Sequence, residues 1–280
     1  MSALASVVIP AHNEQRGISR TLRALHTGLE GSSLDVVVVC NGCTDDTAAT
    51  VRREFPWVRV LEISTASKAD AVECGNAATS VFPRLHLDAD VVLSGSSVLD
   101  LVAAFGEGVH AVAPRRVLDR TGASMLVAWY YDVWQELPQV EGGLFGRGAF
   151  MLTEEGQRRV TALPRMMSDD LVVSEAFASH ERRIVDGAES IVTIPRRLPD
   201  LVRRRVRSVT GNAQADSAGT RSADAMTRPS TLLRISASHP SLVLKMPVFL
   251  GVAAVARLRA RRAVRAGDFG TWLRDESSRE

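Results

Sequence analysis

The stretch "LDVVVVCNG", residues 34–42, places four consecutive valines before a turn. Because β-branched side chains favour strands, this run predicts a strand, and its lack of polar alternation predicts that both faces are covered. Related apolar runs precede and follow it in "ASVVIPAH" (5–12), "VRVLEIS" (58–64) and "LHLDADVVL" (85–93). Strands of this kind are typical of a parallel sheet between two layers of helices.

The segments between these strands carry helical patterns. "NEQRGISRTLRALHTGL" (13–29) has apolar residues at helical spacing, and "SKADAVECGNAATS" (67–80) predicts a further helix. "CTDDTAATVRREF" (43–55) predicts a helix with Thr44 as N-cap and Asp45 and Asp46 in the first turn. Strands that alternate with helices predict an α/β fold, Rossmann-like, with a mostly parallel sheet and helices on both faces.

The charge of the chain is unevenly distributed. The 280 residues carry a net charge of +2, but residues 196–265 hold 15 Lys and Arg against 3 Asp and Glu, so this stretch is +12 and the remainder −10. The chain is therefore predicted to have a basic, helical C-terminal extension. Such a tail suits nucleic acid or an anionic membrane surface.

The apolar run within this tail, residues 242–256, is interrupted by Lys245 and Pro247 and is shorter than the roughly 20 residues that span a bilayer. Arginines follow it. This pattern predicts a helix that contacts the membrane surface through residues 241–265. The alternative is a helix docked on the domain with its arginines toward solvent.

Cysteine content and the N-terminus bear on location. The three cysteines, Cys40, Cys43 and Cys74, cannot all pair, and Cys40 and Cys43 lie too far from any second cysteine or histidine pair for a zinc site, so reduced thiols are expected. The apolar run near the N-terminus is short and ends at Pro10, unlike a secretion signal. We expect a cytoplasmic protein. If the C-terminal helix contacts a membrane, the protein would be peripherally attached to the inner face of the cell membrane.

Two carboxylates, Asp88 and Asp90, follow the apolar start of "LHLDADVVL". If the strand continued through them, both would point to the same face and repel. Either a cation or a sharp turn must offset that repulsion. Hard divalent cations prefer carboxylate oxygens and often share them with nucleotide phosphates, so a Mg²⁺ or Mn²⁺ site is expected here.

The order of five motifs resembles the family 2 glycosyltransferases of the GT-A fold over roughly residues 5–212. The motifs are "SVVIPAHNE", "VVVVCNGCTDDTA", "SKADAVECGNAA", "LHLDADVVL" and "MMSDDLVV". The resemblance implies a catalytic domain over 1–212, with a nucleotide-binding half at about 1–115 and an acceptor half at about 116–212. A linker over 213–240 and a helical tail over 241–280 complete the expected organisation.

The resemblance also implies roles for individual residues. Those matching the nucleotide-sugar site are Pro10, Ala11, His12, Asn13, Glu14, Asn41, Lys68, Asp88, Ala89 and Asp90. Asp90 would ligate the metal, with Asp88 beside it, and Lys68 would meet the donor phosphates. The family usually has acids where this chain has Cys40 and Asn41, so the base that is recognised stays open.

On the acceptor side, Asp170 matches the family's catalytic base and Asp169 the acid before it. Gly142 and Gly143 match a loop that floors the acceptor pocket, and Trp134 is a candidate for stacking on an acceptor. Packing in the core is the alternative for Trp134, and helix capping is the alternative for the acids after Ser168.

The implied activity is metal-dependent, inverting transfer from a nucleotide-diphosphate sugar to an acceptor hydroxyl. The acceptor would be a sugar, a lipid-linked saccharide or a small molecule. The expected role is in the synthesis of cell-surface polysaccharide, glycolipid or glycosylated metabolites.

Two rival classes are a sugar-phosphate nucleotidyltransferase and a nucleic-acid-binding protein. "PAHNEQRG" lacks the first class's glycine-rich phosphate loop, and Phe249 is the only aromatic residue within 196–265 that could stack on a base. We therefore expect no nucleic-acid partner.

Overall fold

The computed structural model describes residues 3–29, 31–163, 169–217 and 227–265. Eight strands form one sheet in the order β3-β2-β1-β4-β7-β6-β8-β5. The strands are β1 (Ala5–Ala11), β2 (Leu34–Asn41), β3 (Arg59–Ile63), β4 (Arg84–Leu87), β5 (Val92–Leu93), β6 (Ala111–Asp119), β7 (Ala149–Leu152) and β8 (Arg182–Thr193).

Helices connect the strands and make up most of the C-terminal part. They are α1 (Ile18–His26), α2 (Thr47–Glu54), α3 (Lys68–Ala77), α4 (Gly95–Ala103), α5 (Met125–Gln135), α6 (Pro138–Glu141), α7 (Glu154–Thr161), α8 (Asp169–Glu175), α9 (Leu198–Ser217), α10 (Pro229–Ser238) and α11 (Met246–Arg265). A 3₁₀ helix, Pro240–Lys245, precedes α11.

Parallel pairing builds the N-terminal half of the sheet. Strand β1 pairs in parallel with β2 and β4, and β2 pairs in parallel with β3. Val36, Val37, Val38 and Val39 of β2 are at most 1% exposed, because helices cover both faces. The four consecutive valines therefore act as the sequence predicts.

Antiparallel pairing builds the other half. Strand β7 pairs antiparallel with both β4 and β6, and β5 pairs antiparallel with β8. The predicted α/β class and the C-terminal helices are confirmed, in a sheet that is mixed.

The chain divides into two compact units. The first comprises Met1–Leu118, Gly146–Leu163 and Phe177–Val192, and the second comprises Asp119–Phe145, Pro164–Ala176 and Thr193–Glu280. The first unit contains almost the whole sheet. The second is helical, with α5, α9 and α11 packed together.

Local structure differs from the sequence prediction in three places. The fourth strand does not run through residue 93 but ends at Leu87, and β5 starts at Val92. Helix α2 begins at Thr47 rather than after Thr44, because the Asp45 carboxylate accepts hydrogen bonds from the amide and hydroxyl of Thr47. Within the expected linker 213–240, α9 continues to Ser217 and α10 occupies Pro229–Ser238.

Candidate active site

The carboxyl ends of the parallel strands bring several predicted residues to one edge of the sheet. Strand β1 ends at Ala11, β2 at Asn41 and β4 at Leu87, and parallel strands end on the same side. Pro10 and Ala11 are the last residues of β1 itself. The loops after these strands carry the polar groups of the candidate site.

Asp88 and Asp90 lie in a turn rather than in a strand. The amide of Asp88 donates to the carbonyl of Gly148 (2.8 Å), and the amide of Val91 donates back to the carbonyl of Asp88 (3.2 Å). Helix α1 holds the same turn, since the hydroxyl of Thr21 donates to the carbonyl of Ala89 (2.9 Å). The turn resolves the expected repulsion by leaving both acids partly exposed while their backbone is fixed.

Lys68 reaches this turn from the start of α3. Its Nζ lies 2.9 Å from Oδ1 of Asp88, and the two side chains are 25% and 39% exposed. The hydroxyl of Ser67 accepts from the amide of Asp70 and caps the helix. Because the helix dipole disfavours a cation at a helix start, the nearby carboxylate offsets an otherwise unfavourable position for Lys68.

The loop after β1 is tied to the loop after β2. Asn13 adopts a left-handed conformation (φ 51°), and its Oδ1 accepts from the amide of Thr44 (2.8 Å). Nδ1 of His12 lies 2.5 Å from the carbonyl oxygen of Asn41. The amide of Glu14 donates to the hydroxyl of Thr47 at the start of α2. Loop residues predicted from two separate motifs thus form one hydrogen-bonded surface.

Asn41 ends β2 with a buried side chain, 4% exposed. Among the described residues, its Oδ1 has no hydrogen-bond partner, which is costly for a buried amide oxygen unless a ligand supplies a donor. Gly42 follows with φ +56°, and a Cβ there would lie 2.8 Å from the amide nitrogen of Ala66. Only glycine fits this turn without displacing the backbone.

Cys40 stands one residue before Asn41, where the family usually has an acid. Burial, with a further contribution from the adjacent Cys43, raises the pKa of the Cys40 thiol to about 12. The thiol is therefore neutral at physiological pH. The thiol of Cys43 donates to the carbonyl of Ala11 (3.5 Å), and Ala11 pairs with Cys40 in the sheet. Both cysteines therefore lie where the ends of β1 and β2 pair.

The predicted acceptor residues lie in the second unit. Asp169 and Asp170 start helix α8, and their side chains, like Ser168, fall outside what the structure describes. Gly142 caps the C-terminus of α6, and its amide donates to the carbonyl of Pro138. The amide of Leu144 donates to the hydroxyl of Ser174 (3.1 Å), which ties this glycine loop to the helix that begins with the two acids.

Two of these residues have clear packing roles. A Cβ on Gly143 would lie 2.4 Å from the ring of Phe145, so this glycine makes room for an aromatic side chain of its own loop. Trp134 is 9% exposed, and its ring meets Tyr131 edge-on at 5.4 Å between centroids. The structure therefore favours the core role that the sequence left as the alternative for Trp134.

Comparison with known proteins places the chain in a family. Residues 3–141 match the family profile described as "Glycosyltransferase like family 2". The chain belongs to glycosyltransferase family 2. It is therefore a nucleotide-sugar-dependent glycosyltransferase. No curated protein matches this transferase significantly.

Solved structures share the fold of the transferase. A mannosyltransferase from Pyrobaculum calidifontis, solved with GDP-Man and Mn²⁺, is 19% identical with a TM-score of 0.62, and the match covers 94% of this chain and 75% of that one. Glucosyl-3-phosphoglycerate synthase from Mycobacterium tuberculosis, solved with Mn²⁺, UDP-Glc and phosphoglyceric acid, is 22% identical with a TM-score of 0.55, covering 78% and 81% of the two chains. The GT-A fold expected from the motifs is confirmed.

The turn that carries Asp88 and Asp90 can supply part of the coordination shell of a divalent cation. Within the described ranges, no group of three or more His, Cys, Asp and Glu side chains could hold a metal ion by itself. Asp88 and Asp90 offer two carboxylates. Mg²⁺ and similar cations bind through one or two carboxylates when substrate phosphates and water complete the shell. The donor set therefore suits a metal that arrives with a diphosphate.

Sequence reasoning missed the residues that hold the turn of the transferase in place. Thr21 and Arg20, whose guanidinium donates to the carbonyl of Asp90 (3.3 Å), lie on α1 and gave no signal beyond helical spacing. Gly148 has φ +63°, and a Cβ there would lie 2.3 Å from the side chain of Val91. The glycines of "GRG" (146–148) are a sequence signal from which a close backbone approach could have been predicted.

Proposed function

We propose that this transferase is inverting and depends on Mn²⁺ or Mg²⁺, and that it moves a sugar from a nucleotide-diphosphate sugar to an acceptor hydroxyl. The observation that carries the proposal is the ion pair between Lys68 and Asp88 in the fixed turn at the carboxyl ends of the strands. One partly exposed cation and two carboxylates at this edge match the needs of a diphosphate and its metal.

The turn and Lys68 would contact different parts of the bound donor. Asp90, with Asp88 beside it, would hold the cation, which when bound neutralises charge on the leaving nucleotide diphosphate. Lys68 would exchange Asp88 for a donor phosphate, as a compact charge on a flexible stem. The bond from the Thr21 hydroxyl to the Ala89 carbonyl, and the bond from the Asp88 amide to the Gly148 carbonyl, would keep the acids in place during that exchange.

Asn41 is the candidate contact for the base of the donor. Its buried Oδ1 would accept from an N–H group on the edge of the base, and the ring N–H of uracil or guanine is such a donor. His12, Asn13 and Glu14 would shape the same pocket through the loop they form. We infer a UDP-sugar or GDP-sugar donor, the two classes named for the P. calidifontis and M. tuberculosis structures.

Acceptor activation is assigned to Asp170, with Asp169 before it. An inverting transfer needs one carboxylate that takes the proton of the acceptor hydroxyl as that oxygen attacks the anomeric carbon. The bond from Leu144 to Ser174 gives the helix and the Gly142–Gly143 loop a common support, which suits a shared task. A small acceptor such as phosphoglycerate, named for the M. tuberculosis structure, or a sugar or lipid-linked acceptor would fit this scheme.

The rival classes are less well supported. The loop after β1 is organised by Asn13 and Thr44 rather than by a glycine-rich phosphate cradle, which disfavours a nucleotidyltransferase. A nucleic-acid-binding tail would need exposed aromatic side chains. Phe249 is instead 6% exposed and stacks on Tyr130 at 5.2 Å.

Calorimetric titration with UDP, GDP, ADP and CDP, each with and without Mn²⁺, tests the donor assignment. We expect UDP or GDP to bind best and only with the metal. Asp90→Asn should weaken metal-dependent binding by about 100-fold. Asp100→Asn, an exposed acid on α4, is the matched control and should bind like wild type. Equal nucleotide affinity in Asp90→Asn and wild type would overturn the metal assignment.

Asp170→Asn separates the acceptor side from the donor side. We expect donor binding to persist while the rate of transfer falls by about 10³-fold, because only proton removal is lost. Proton NMR of the product should show an anomeric configuration opposite to that of the donor. A product of retained configuration would contradict the inverting mechanism, and an unimpaired Asp170→Asn would remove Asp170 as the base.

A further inference from the structure

Helix α11 has one face that is packed within the second unit. Phe249, Val252, Ala256 and Ala260 recur at helical spacing and are 6%, 5%, 0% and 2% exposed. This face lies against α9 and α5, where Phe249 stacks on Tyr130. An ion pair between Lys245 and Asp132 (2.7 Å) fixes the segment just before the helix. The docked helix that the sequence left as an alternative is therefore present.

The opposite face of the same helix is apolar and exposed. Leu250 and Leu258 are 46% and 60% exposed, and Val255 at the edge of this face is 39% exposed. The preceding 3₁₀ helix adds Val243 and Leu244, the latter 79% exposed. Six of the eleven large apolar side chains that are exposed among the described residues come from 229–265. We call this surface, formed by Val243, Leu244, Leu250, Val255 and Leu258, the apolar face.

Exposed arginines extend the apolar face toward the C-terminus. Arg257, Arg259, Arg261 and Arg262 are all exposed, and the sequence has no Asp or Glu from 225 to 267. Exposed apolar side chains concentrated on one segment mark an interaction site, and four exposed arginines beside them favour an anionic partner. The combination of apolar side chains with flanking arginines is that of a helix lying in a membrane interface.

We propose that the apolar face binds an anionic lipid bilayer, with α11 lying in the plane of the interface. Leu244, Leu250 and Leu258 enter the acyl boundary, while the arginines contact lipid phosphates. The packed face stays on α9 and α5, so the catalytic chain is attached to the surface without unfolding any part of it. This inference does not depend on the donor or the acceptor.

Two other occupants fit less well. A second copy of the chain, bound through the same segment in a two-fold interface, offers the arginines no acidic partner, because residues 225–267 contain no Asp or Glu. A transmembrane orientation meets the length and composition requirement over Pro240–Arg262, and 22% of the apolar window within this span is buried. It would, however, strip Phe249, Val252 and Ala256 from their packing partners.

Vesicle flotation of the purified full-length chain tests the proposal. Vesicles contain either phosphatidylcholine alone or equal parts of phosphatidylcholine and phosphatidylglycerol. We expect binding only to the anionic vesicles, weakened by high salt. Leu250→Glu combined with Leu258→Glu should lower the bound-to-free ratio by about tenfold or more, as should alanine at Arg259, Arg261 and Arg262. Leu4→Glu, a 40% exposed leucine of the first unit, is the matched control and should bind like wild type.

Melting temperature and circular dichroism of each variant verify that the fold is intact, since the substituted side chains are exposed. Absence of wild-type binding to anionic vesicles would overturn the proposal, as would full binding by the double glutamate variant. Light scattering that shows a dimer abolished by the glutamates, without any vesicle binding, would assign the apolar face to a second copy. Resistance of bound protein to carbonate extraction would indicate a spanning helix instead.

Discussion

The chain has two lysines, and each pairs with an aspartate in a different way. Lys68 lies 2.9 Å from Asp88 at the edge of the sheet, in a pair that is 25% and 39% exposed. Lys245 lies 2.7 Å from Asp132, which is 18% exposed and also accepts from Arg120. The first pair is accessible to a ligand. The second pair differs in its carboxylate, which is less exposed and is shared with a second cation.

The difference shows that an ion pair by itself does not reveal its role. Asp88 sits in a turn whose backbone is held by other residues, so its carboxylate can change partner without loss of structure. Asp132 has two cationic partners, and its contacts join α5 to the segment before α11. We therefore expect loss of Lys68 to affect chemistry and loss of Lys245 to affect stability.

The largest effect is expected for Lys68→Met. Removal of one preorganised cation from the diphosphate should lower the rate of transfer by about 100-fold, or about 2.7 kcal/mol. The free energy of unfolding should change by less than about 1 kcal/mol, because the pair is partly exposed. Steady-state kinetics and urea denaturation measure the two quantities. Unchanged turnover would place Lys68 outside the donor site.

A smaller effect is expected for Lys245→Met, and it should appear in stability rather than in turnover. The free energy of unfolding should fall by about 1–2 kcal/mol, since Asp132 loses one charged hydrogen-bond partner and keeps Arg120. Donor binding should match that of wild type. A variant with wild-type stability and impaired donor binding would reverse the roles assigned to the two lysines.

The smallest effect concerns pH. Burial by itself raises the pKa of the Asp132 carboxyl, but hydrogen bonds from Lys245 and Arg120 outweigh it and hold the pKa below its ordinary value. A carboxyl with a lowered folded pKa contributes stability above its unfolded pKa of about 3.9, and this contribution is lost as the pH falls through the folded pKa. The difference in unfolding free energy between wild type and Asp132→Asn should therefore narrow from pH 7 to pH 3. If this free-energy difference stayed constant with pH, the charge of Asp132 would not be what stabilises the folded protein.

The sequence by itself determined the order of the elements and the side of the sheet that carries the site. The valines of β2 can only be buried on both faces, and parallel strands then bring their polar ends to one edge. Motifs at residues 10–14, 41, 68 and 88–90 were found for that reason. The apolar run 242–256 and the arginines that follow it likewise indicated a helix that either contacts a membrane or docks on the domain.

Only the tertiary structure decided how these groups are held. The ends of β4 and α3 are distant from Thr21 and Gly148 in sequence, and hydrogen bonds to the turn of Asp88 and Asp90 depend on how separate elements pack. The same holds for Lys245, whose partner is 113 residues away. The tertiary structure also decided that one face of α11 is packed and the other is exposed. Which face of a helix is buried depends on the elements beside it and not only on its own residues.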